Sequence, residues 1–76
     1  VEECNAEVME FLLDEESKIL GKPLKDIQIP RGAIIGAVLR GEEVIIPDGE
    51  QQLAAGDRAV VFTLPEAVAR LDKLFS

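Results

Sequence analysis

Apolar and polar positions of the first segment, AEVMEFLLD, fit two different periodicities. Met9, Phe11 and Leu13 share one face at the two-residue period of a strand. Val8, Phe11 and Leu12 also fit a helical stripe, so the periodicity alone leaves both elements open. Because the segment is short and contains β-branched and aromatic side chains, a strand is favoured.

The central segment 33–40, AIIGAVLR, is apolar on both faces, which predicts a strand that is central in its sheet or covered on both sides. Gly36 within it predicts close approach of another backbone or of a packed helix. The Gly-Glu pair at 41–42 fits a two-residue hairpin turn with glycine first. The partner strand is then predicted at 43–46 and ends at Pro47.

Two further elements flank this hairpin. Pro23 suits the first position of a helix, and Leu24 with Ile27 forms an apolar pair three residues apart. This pattern predicts a helix of one or two turns that ends before Pro30. Beyond the loop QQLAAGDR, the segment 58–63, RAVVFT, is predicted as the last strand.

The segment TLPEAVARLDKLF predicts a closing helix. Thr63 and Glu66 have the spacing of a capping box, and Pro65 falls in the first turn. The order strand, helix, three strands and helix predicts an α+β domain with a small, mostly antiparallel sheet. The buried stripe of the closing helix is predicted to contain Val68, Leu71 and Phe75, joined by Leu64 and Leu74.

Composition limits the size and class of the protein. Seventy-six residues allow one domain, spanning 1–76, and the hydrophobic fraction of 47% supports a packed core. With no tryptophan or tyrosine and three phenylalanines, that core is predicted to be aliphatic. A small domain of this kind often completes its burial against a partner, so we expect a homodimer. Because the chain starts at Val1, we also expect a fragment of a longer protein.

The net charge of −7 argues against two kinds of partner. Nucleic acid and anionic membrane surfaces both attract Lys and Arg rather than carboxylates. No apolar run approaches the roughly 20 residues of a membrane span, so direct membrane insertion is not expected. The single cysteine, Cys4, fits a reducing cytosol.

Residues that carry chemistry are few. The chain lacks histidine, which is the most common general base and a common metal ligand. Cys4 has no neighbour that would lower its pKa, and neither a Walker loop nor a G-x-S-x-G motif occurs. We therefore expect no enzymatic activity and no cofactor in this domain.

The carboxylates are interpreted mainly as a solvated surface. Glu2, Glu3, Glu7 and the triplet 14–16 form charged blocks of the kind that usually face water. A weak Ca²⁺ or Mg²⁺ site is the alternative, because hard cations take clustered oxygen ligands. Asp48 and Asp57 each adjoin a glycine and are predicted to form turns.

Arg40 stands apart because it ends a strand beside the predicted hairpin. It is either a solubilising charge, or one ion-paired with Glu42 or Glu43, or an anion-binding group beside an apolar wall. The residues alone leave these alternatives open.

An ordered set of segments resembles one family, the C-terminal regulatory module of TrkA-type potassium-uptake proteins, also called the RCK C-terminal or TrkA-C domain. No single segment is specific, but the set covers nearly the whole chain. The segments are SKILGKPLKDI at 17–27, IPRGAIIGAVLRG at 29–41, EVIIP at 43–47 and LAAGDRAVVF at 53–62, followed by the closing helix.

The resemblance implies a cytoplasmic, peripheral protein at the inner face of the membrane. Relatives of this type act with a membrane potassium transporter subunit and pair through this domain, while NAD or ATP binds a separate N-terminal module that the chain lacks. In some relatives the dimer interface holds cyclic di-AMP. The residues carried over to such a ligand site are Ile35, Arg40, Ile45, Ile46 and Pro47.

Glu42 and Glu43 depart from the pattern of cyclic-dinucleotide binders, because two carboxylates at the turn would repel a phosphate. The function implied is a dimerisation and ligand-sensing module that gates a potassium transporter. A purely structural dimerisation module is an alternative, and so is the same module attached to another cation or carboxylate transporter.

Overall fold

A computed structural model describes residues 5–76 of the chain, so Glu2, Glu3 and Cys4 lie outside the described residues. It contains four strands and one α-helix, together with two single 3-10 turns at Leu24–Asp26 and Pro65–Ala67. The strands and the helix are β1 (Glu7–Leu12), β2 (Ala33–Arg40), β3 (Glu43–Ile45), β4 (Arg58–Thr63) and α1 (Val68–Phe75).

The four strands form one sheet in the order β1-β4-β2-β3, and every neighbouring pair is antiparallel. The predicted α+β class with a small antiparallel sheet is therefore confirmed. β2 is central, as its two apolar faces predict, but the short β3 pairs only with Val38, Leu39 and Arg40. The first half of β2 consequently has no strand partner on that edge within the described residues.

One face of the sheet, the core face, packs against α1 and the connecting segments. Val38, Ala59 and Val61 on this face are fully buried, and Leu71 and Phe75 of α1 lie against them. Phe75 also stacks on Phe11 of β1, with 4.4 Å between ring centroids. The rest of the core comes from the connections, namely Leu13, Ile19, Ile27 and Leu53.

β2 carries an irregularity at Gly36, where its register with β4 shifts between Ile35 and Ala37. A Cβ atom at position 36 would overlap Cε2 of Phe62 on β4. The predicted close approach is thus present, but the approaching group is an aromatic ring of the neighbouring strand and not a backbone or a helix.

The first predicted helix is only a 3-10 turn. The N–H of Asp26 donates to the carbonyl of Pro23 at 2.9 Å, and the N–H of Ile27 donates to that of Leu24 at 3.1 Å. Pro23 is extended, with ψ 146°, and precedes the turn instead of occupying its first position. Ile27 is extended as well, since its side chain is drawn into the core.

The closing helix begins as the 3-10 turn Pro65–Ala67, and its predicted capping box is wrong. Thr63 is the last residue of β4, is 2% exposed, and its hydroxyl donates to the carbonyl of Leu64 at 2.9 Å. Leu64 is 42% exposed and does not join the buried stripe, whereas Ala67 does. Val68 and Leu74 are half-buried.

The β2–β3 hairpin has the predicted two-residue turn. Gly41 has φ +60°, and Glu42 does not share a positive φ, as the turn with glycine first requires. β3 ends at Ile45, one residue earlier than predicted. No helix within residues 5–76 is long and apolar enough to cross a membrane.

Candidate functional site: the open sheet face and two clefts

The face of the sheet opposite the core is also apolar. Strand alternation and the pairing register place ten side chains there in three rows across the sheet. We call this surface the outer face; its rows are Val8–Phe62–Ile34, Glu10–Val60–Ala37 and Leu12–Arg58–Leu39–Val44.

Within the described residues the outer face is uncovered. Leu12, Ile34 and Val44 are each 64% exposed, Val8 is 63% exposed and Phe62 is 44% exposed. Contiguous apolar patches of this kind are uncommon on monomeric proteins and mark interaction surfaces. The outer face is therefore the first candidate functional surface.

The outer face carries two charged residues, which lie near each other. Nη1 of Arg58 is 3.8 Å from Oε1 of Glu10, and both side chains are more than half exposed. An ion pair at this distance and exposure contributes little to the stability of one subunit.

A second polar cluster lies at the far end of β2, where Arg40 meets Asp57. Nε of Arg40 donates to Oδ1 of Asp57 at 2.9 Å, and Nη2 donates to Oδ2 at 2.8 Å. Nη2 also reaches the carbonyl of Gln52 at 3.2 Å, and the N–H of Ala54 donates to Oδ2 at 2.8 Å. The cluster thus ties the loop before β4 to the turn end of the β2–β3 hairpin.

This geometry keeps both partners charged. The hydrogen bonds from Arg40 lower the pKa of the Asp57 carboxyl, outweighing the burial that would raise it, and the N–H of Ala54 adds to the lowering. The same hydrogen bonds and the charge of Asp57 raise the pKa of Arg40.

Of the alternatives left open for Arg40, the ion pair with Glu42 or Glu43 is not the one found, because Asp57 is the partner. Asp57 does accept a turn hydrogen bond, as predicted, but it is 1% exposed and holds the arginine as well. Asp48 forms a turn, accepting from the N–H of Glu50 at 2.9 Å.

Two clefts flank the loop that follows β3. The arginine cleft, of about 490 Å³, lies beside Arg40 and is lined also by Asp48, Glu50 and residues 51–54. The apolar cleft, of about 360 Å³, follows the edge of β2 that β3 leaves unpaired. It is lined by Leu24, Lys25, Ile29, Ala33, Ile34, Ile35, Pro47, Asp48 and Gly49.

The structure does not bring the five predicted ligand residues together in one site. Ile35 and Pro47 meet in the apolar cleft, whereas Arg40 lines the arginine cleft. Ile45 packs against the core, and Ile46 is 78% exposed and lines neither cleft.

The apolar cleft is also lined by four residues that the predicted ligand site lacks, Leu24, Lys25, Ile29 and Ile34. The sequence does contain a sign that Ile34 could belong to the site, because Ile34 precedes Ile35 in a strand that is apolar on both faces. The others come from the connection before β2, where no motif indicates which side chains face the hairpin.

The acidic triplet forms a local turn. Asp14 accepts from the N–H of Glu16 at 2.9 Å, and the N–H of Asp14 donates to Oγ of Ser17 at 3.3 Å. Over residues 5–76, no three His, Cys, Asp or Glu side chains are placed to hold a metal ion together.

Comparison with known proteins identifies the fold and family. The family model described as the TrkA-C domain matches residues 8–76. The chain belongs to the TrkA-C domain family. The resemblance of the ordered sequence segments is thereby confirmed.

Two curated relatives of this TrkA-C domain come from Methanosarcina mazei. Trk system potassium uptake protein TrkA homolog 2 is 44% identical and homolog 1 is 41% identical, each over 75 residues and 99% of this chain. The chain spans only 17% of the length of either relative.

A solved structure described as "Structure of RCK domain with cda" superimposes on the TrkA-C domain with a TM-score of 0.72 and 26% identity. The match covers 91% of this chain and 97% of the other. The small antiparallel sheet with a C-terminal helix is thus the fold of an RCK domain.

Proposed function

We propose that this TrkA-C domain is a regulatory module of a potassium uptake system and that it pairs two subunits through its outer face. The observation that carries the pairing is the set of large apolar side chains left exposed on one face of the sheet. The link to potassium uptake is supported by the relatives, which are named Trk potassium uptake proteins.

Pairing through a sheet face is physically favourable because two such faces interdigitate as the layers of a sandwich do. Each Å² of apolar surface removed from water contributes roughly 25 cal/mol, set against the entropy of association. Four strands of about six residues offer a face of roughly 20 by 20 Å. This is smaller than the ~800 Å² per partner of a standard interface, so we expect a weak dimer of the isolated domain.

Ile34 gives the pairing a route to ligand control. It lines the apolar cleft and is also one of the exposed residues of the outer face. A small molecule in the cleft would touch a side chain that also contacts the second subunit. Such a molecule shifts the pairing only by its difference in affinity for the two states.

The charges lining the clefts restrict the ligand. Arg40 is engaged by Asp57, and Asp48 and Glu50 line the same arginine cleft, so a free phosphate is disfavoured there. Glu42 and Glu43 add two exposed carboxylates at the hairpin. The apolar cleft is the better place for a ligand with an uncharged ring, because its two charged lining residues are Asp48 and Lys25, and Lys25 is paired with Glu50.

In the full protein we propose that the domain performs no chemistry. It works at the cytoplasmic face of the membrane with a potassium transporter subunit, and an accompanying module holds NAD or ATP. Co-purification of the full-length protein with its transporter tests this partnership. If the domain contributes to this partnership, deleting its 76 residues from the full-length protein should abolish co-purification with the transporter.

Sedimentation of the purified 76-residue chain tests the pairing. A weight-average mass rising with concentration from 8.3 kDa toward twice that value is expected. Phe62→Asp should keep the chain at 8.3 kDa, because it places a carboxylate in the middle of an apolar row. A wild-type chain that stays monomeric at millimolar concentration would rule the pairing out.

Thermal unfolding with cyclic di-AMP, ATP, NAD and divalent cations tests ligand sensing. A ligand at a hundred times its Kd should stabilise the domain by about 2.7 kcal/mol if it binds only the folded state. Ile35→Glu, which charges the apolar cleft, should abolish the effect of a ligand bound there. If none of the compounds stabilises the wild-type domain, a purely structural dimerisation module is favoured.

A further inference from the structure

We infer that Glu10 and Arg58 determine the register of the paired outer faces by exchanging partners, so that Arg58 of each copy binds Glu10 of the other. This inference rests on the proposed pairing and adds the residues that make it specific for a second copy of this chain.

The position of the two residues on the sheet supports this assignment. They are the charged members of an outer face whose other eight residues are apolar. Glu10 lies opposite Val60, and Arg58 lies opposite Leu12, so the two charges stand diagonally across neighbouring strands. An apolar partner sheet would cover both charges wherever it overlapped them.

Burial changes what these charges need. Within one subunit the contact of 3.8 Å leaves most donors of the guanidinium to water, and this arrangement is adequate while both side chains are more than half exposed. When a second sheet excludes that water, each charge requires a close partner of opposite sign. A register that sets Arg58 against Val60 or Leu39 of the second copy would leave it only the 3.8 Å contact with Glu10 of its own subunit.

The symmetry of a homodimer supplies each charge with a second partner of opposite sign. In a two-fold interface, if residue i contacts residue j, then j also contacts i. A two-fold axis that lies between the faces and crosses the line from Glu10 to Arg58 midway, at a right angle, places each charge opposite one of the other sign. One acid and one base side by side therefore make the face complementary to itself.

The overall charge also favours this part of the molecule for self-association. The chain carries a net charge of −7, so two copies repel each other over most of their surface. The outer face carries one positive and one negative group and is neutral as a whole. Two copies can approach through it without placing like charges together.

Charge reversal tests the exchange. Glu10→Arg places two positive charges on the outer face, and Arg58→Glu places two negative charges there. Each variant alone should form its homodimer roughly tenfold or more weakly than the wild type, because like charges then face each other. An equimolar mixture of the two variants, and the double variant Glu10→Arg/Arg58→Glu, should both recover a Kd close to that of the wild type.

Two exposed residues of α1, on the opposite side of the sheet, provide matched controls. Asp72→Arg and Arg70→Glu make the same charge changes as the two outer-face variants. Sedimentation of fluorescently labelled chains gives each Kd, and circular dichroism verifies that each variant is folded. The controls should dimerise like the wild type.

The outcomes separate the inference from the proposed function. If the wild type dimerises but the mixture stays as weak as the single variants, the exchange is wrong and the pairing stands. The exchange is equally wrong if each single variant dimerises as well as its matched control. If the wild type does not dimerise at all, the proposed pairing and the exchange both fail.

Discussion

The two faces of the sheet are built from the same strands and are both apolar, yet only one is covered. Val61 and Phe62 are neighbours on β4, and their side chains are 0% and 44% exposed. The difference comes from α1 and the connections, which all pack on the core face. Hydrophobicity makes both faces suitable for burial, but the path of the chain decides which face one subunit covers.

The ion pairs on the two faces of the sheet also differ in how far they are buried. Arg40 and Asp57, at the core-side edge, make two hydrogen bonds of 2.9 and 2.8 Å, and the carboxylate is buried. Glu10 and Arg58, on the outer face, stand 3.8 Å apart in water. The first pair completes the fold of one subunit, while the second is the one that we propose binds across a pair of subunits.

The largest expected loss of stability comes from truncating a side chain of α1, the helix that covers the core face. Leu71→Ala should reduce the free energy of unfolding by about 2–5 kcal/mol, because Leu71 is fully buried where α1 meets the sheet. Urea denaturation measures the loss. Lys73→Ala on the exposed side of α1 should change stability by less than about 0.5 kcal/mol. Equal effects would show that α1 does not cover the core face.

A matched pair of valines compares the two faces directly. Val61→Ala should cost about 2 kcal/mol of monomer stability, since it removes two buried methyl groups and leaves a cavity. Val60→Ala, on the outer face, should cost less than half as much in urea denaturation at a concentration where the chain is monomeric. Its effect should grow with protein concentration as pairing covers the outer face. A Val60 variant as unstable as the Val61 variant would contradict an open outer face.

The ion pair of Arg40 with the buried carboxylate of Asp57 should make stability depend on pH. The pKa of Asp57 is lower in the folded state than in the unfolded state, so the unfolded state binds more protons in acid. The contribution is present above the unfolded pKa of about 4 and is lost as the pH falls through the lower, folded pKa.

Asp57→Asn should therefore remove about 1–2 kcal/mol of stability at neutral pH and flatten the acid limb of the stability profile. Urea denaturation from neutral to acid pH measures both effects. Glu10→Gln should change the neutral-pH stability of the monomer by less than about 0.5 kcal/mol. An acid limb that is equally steep with and without Asp57 would contradict the role of the ion pair.

The smallest expected effect concerns Gly36. Gly36→Ala should cost about 1 kcal/mol, because the new methyl group displaces the ring of Phe62, which is exposed enough to swing outward. Pairing should weaken as well, since Phe62 lies in the outer face. Adding Phe62→Leu should restore most of the lost stability. Without that recovery, the contact with the ring would not be the cause.

Much of the fold follows from local patterns. The strands at 33–40 and 58–63 have the predicted bounds, because β-branched residues and turn signals coincide there. The closing helix lacks its predicted cap because Thr63 is taken into the sheet, where pairing with Glu7 and Ala33 outweighs a local capping hydrogen bond. The short helix shrinks to one turn because Ile27 is needed in the core.

The candidate site depends on sheet order, which periodicity does not encode. Arg40 reaches Asp57 because Leu39 pairs with Arg58, and this pairing brings residues far apart in sequence together at the end of two strands. A Gly-Asp turn gives no sign of such a partner. The open face was equally hidden, since β2 is apolar on both sides and alternation does not say which side α1 will cover.

Gly36 and Phe62 also bear on how this sequence is free to change over time. A side chain at position 36 would occupy the space of the ring at position 62, so the identities of the two residues constrain each other. Among related chains, we expect a larger residue at the first position to accompany a smaller one at the second. The irregularity in β2 should therefore be visible in an alignment of many family members. It would appear as covariation between these two positions on adjacent strands.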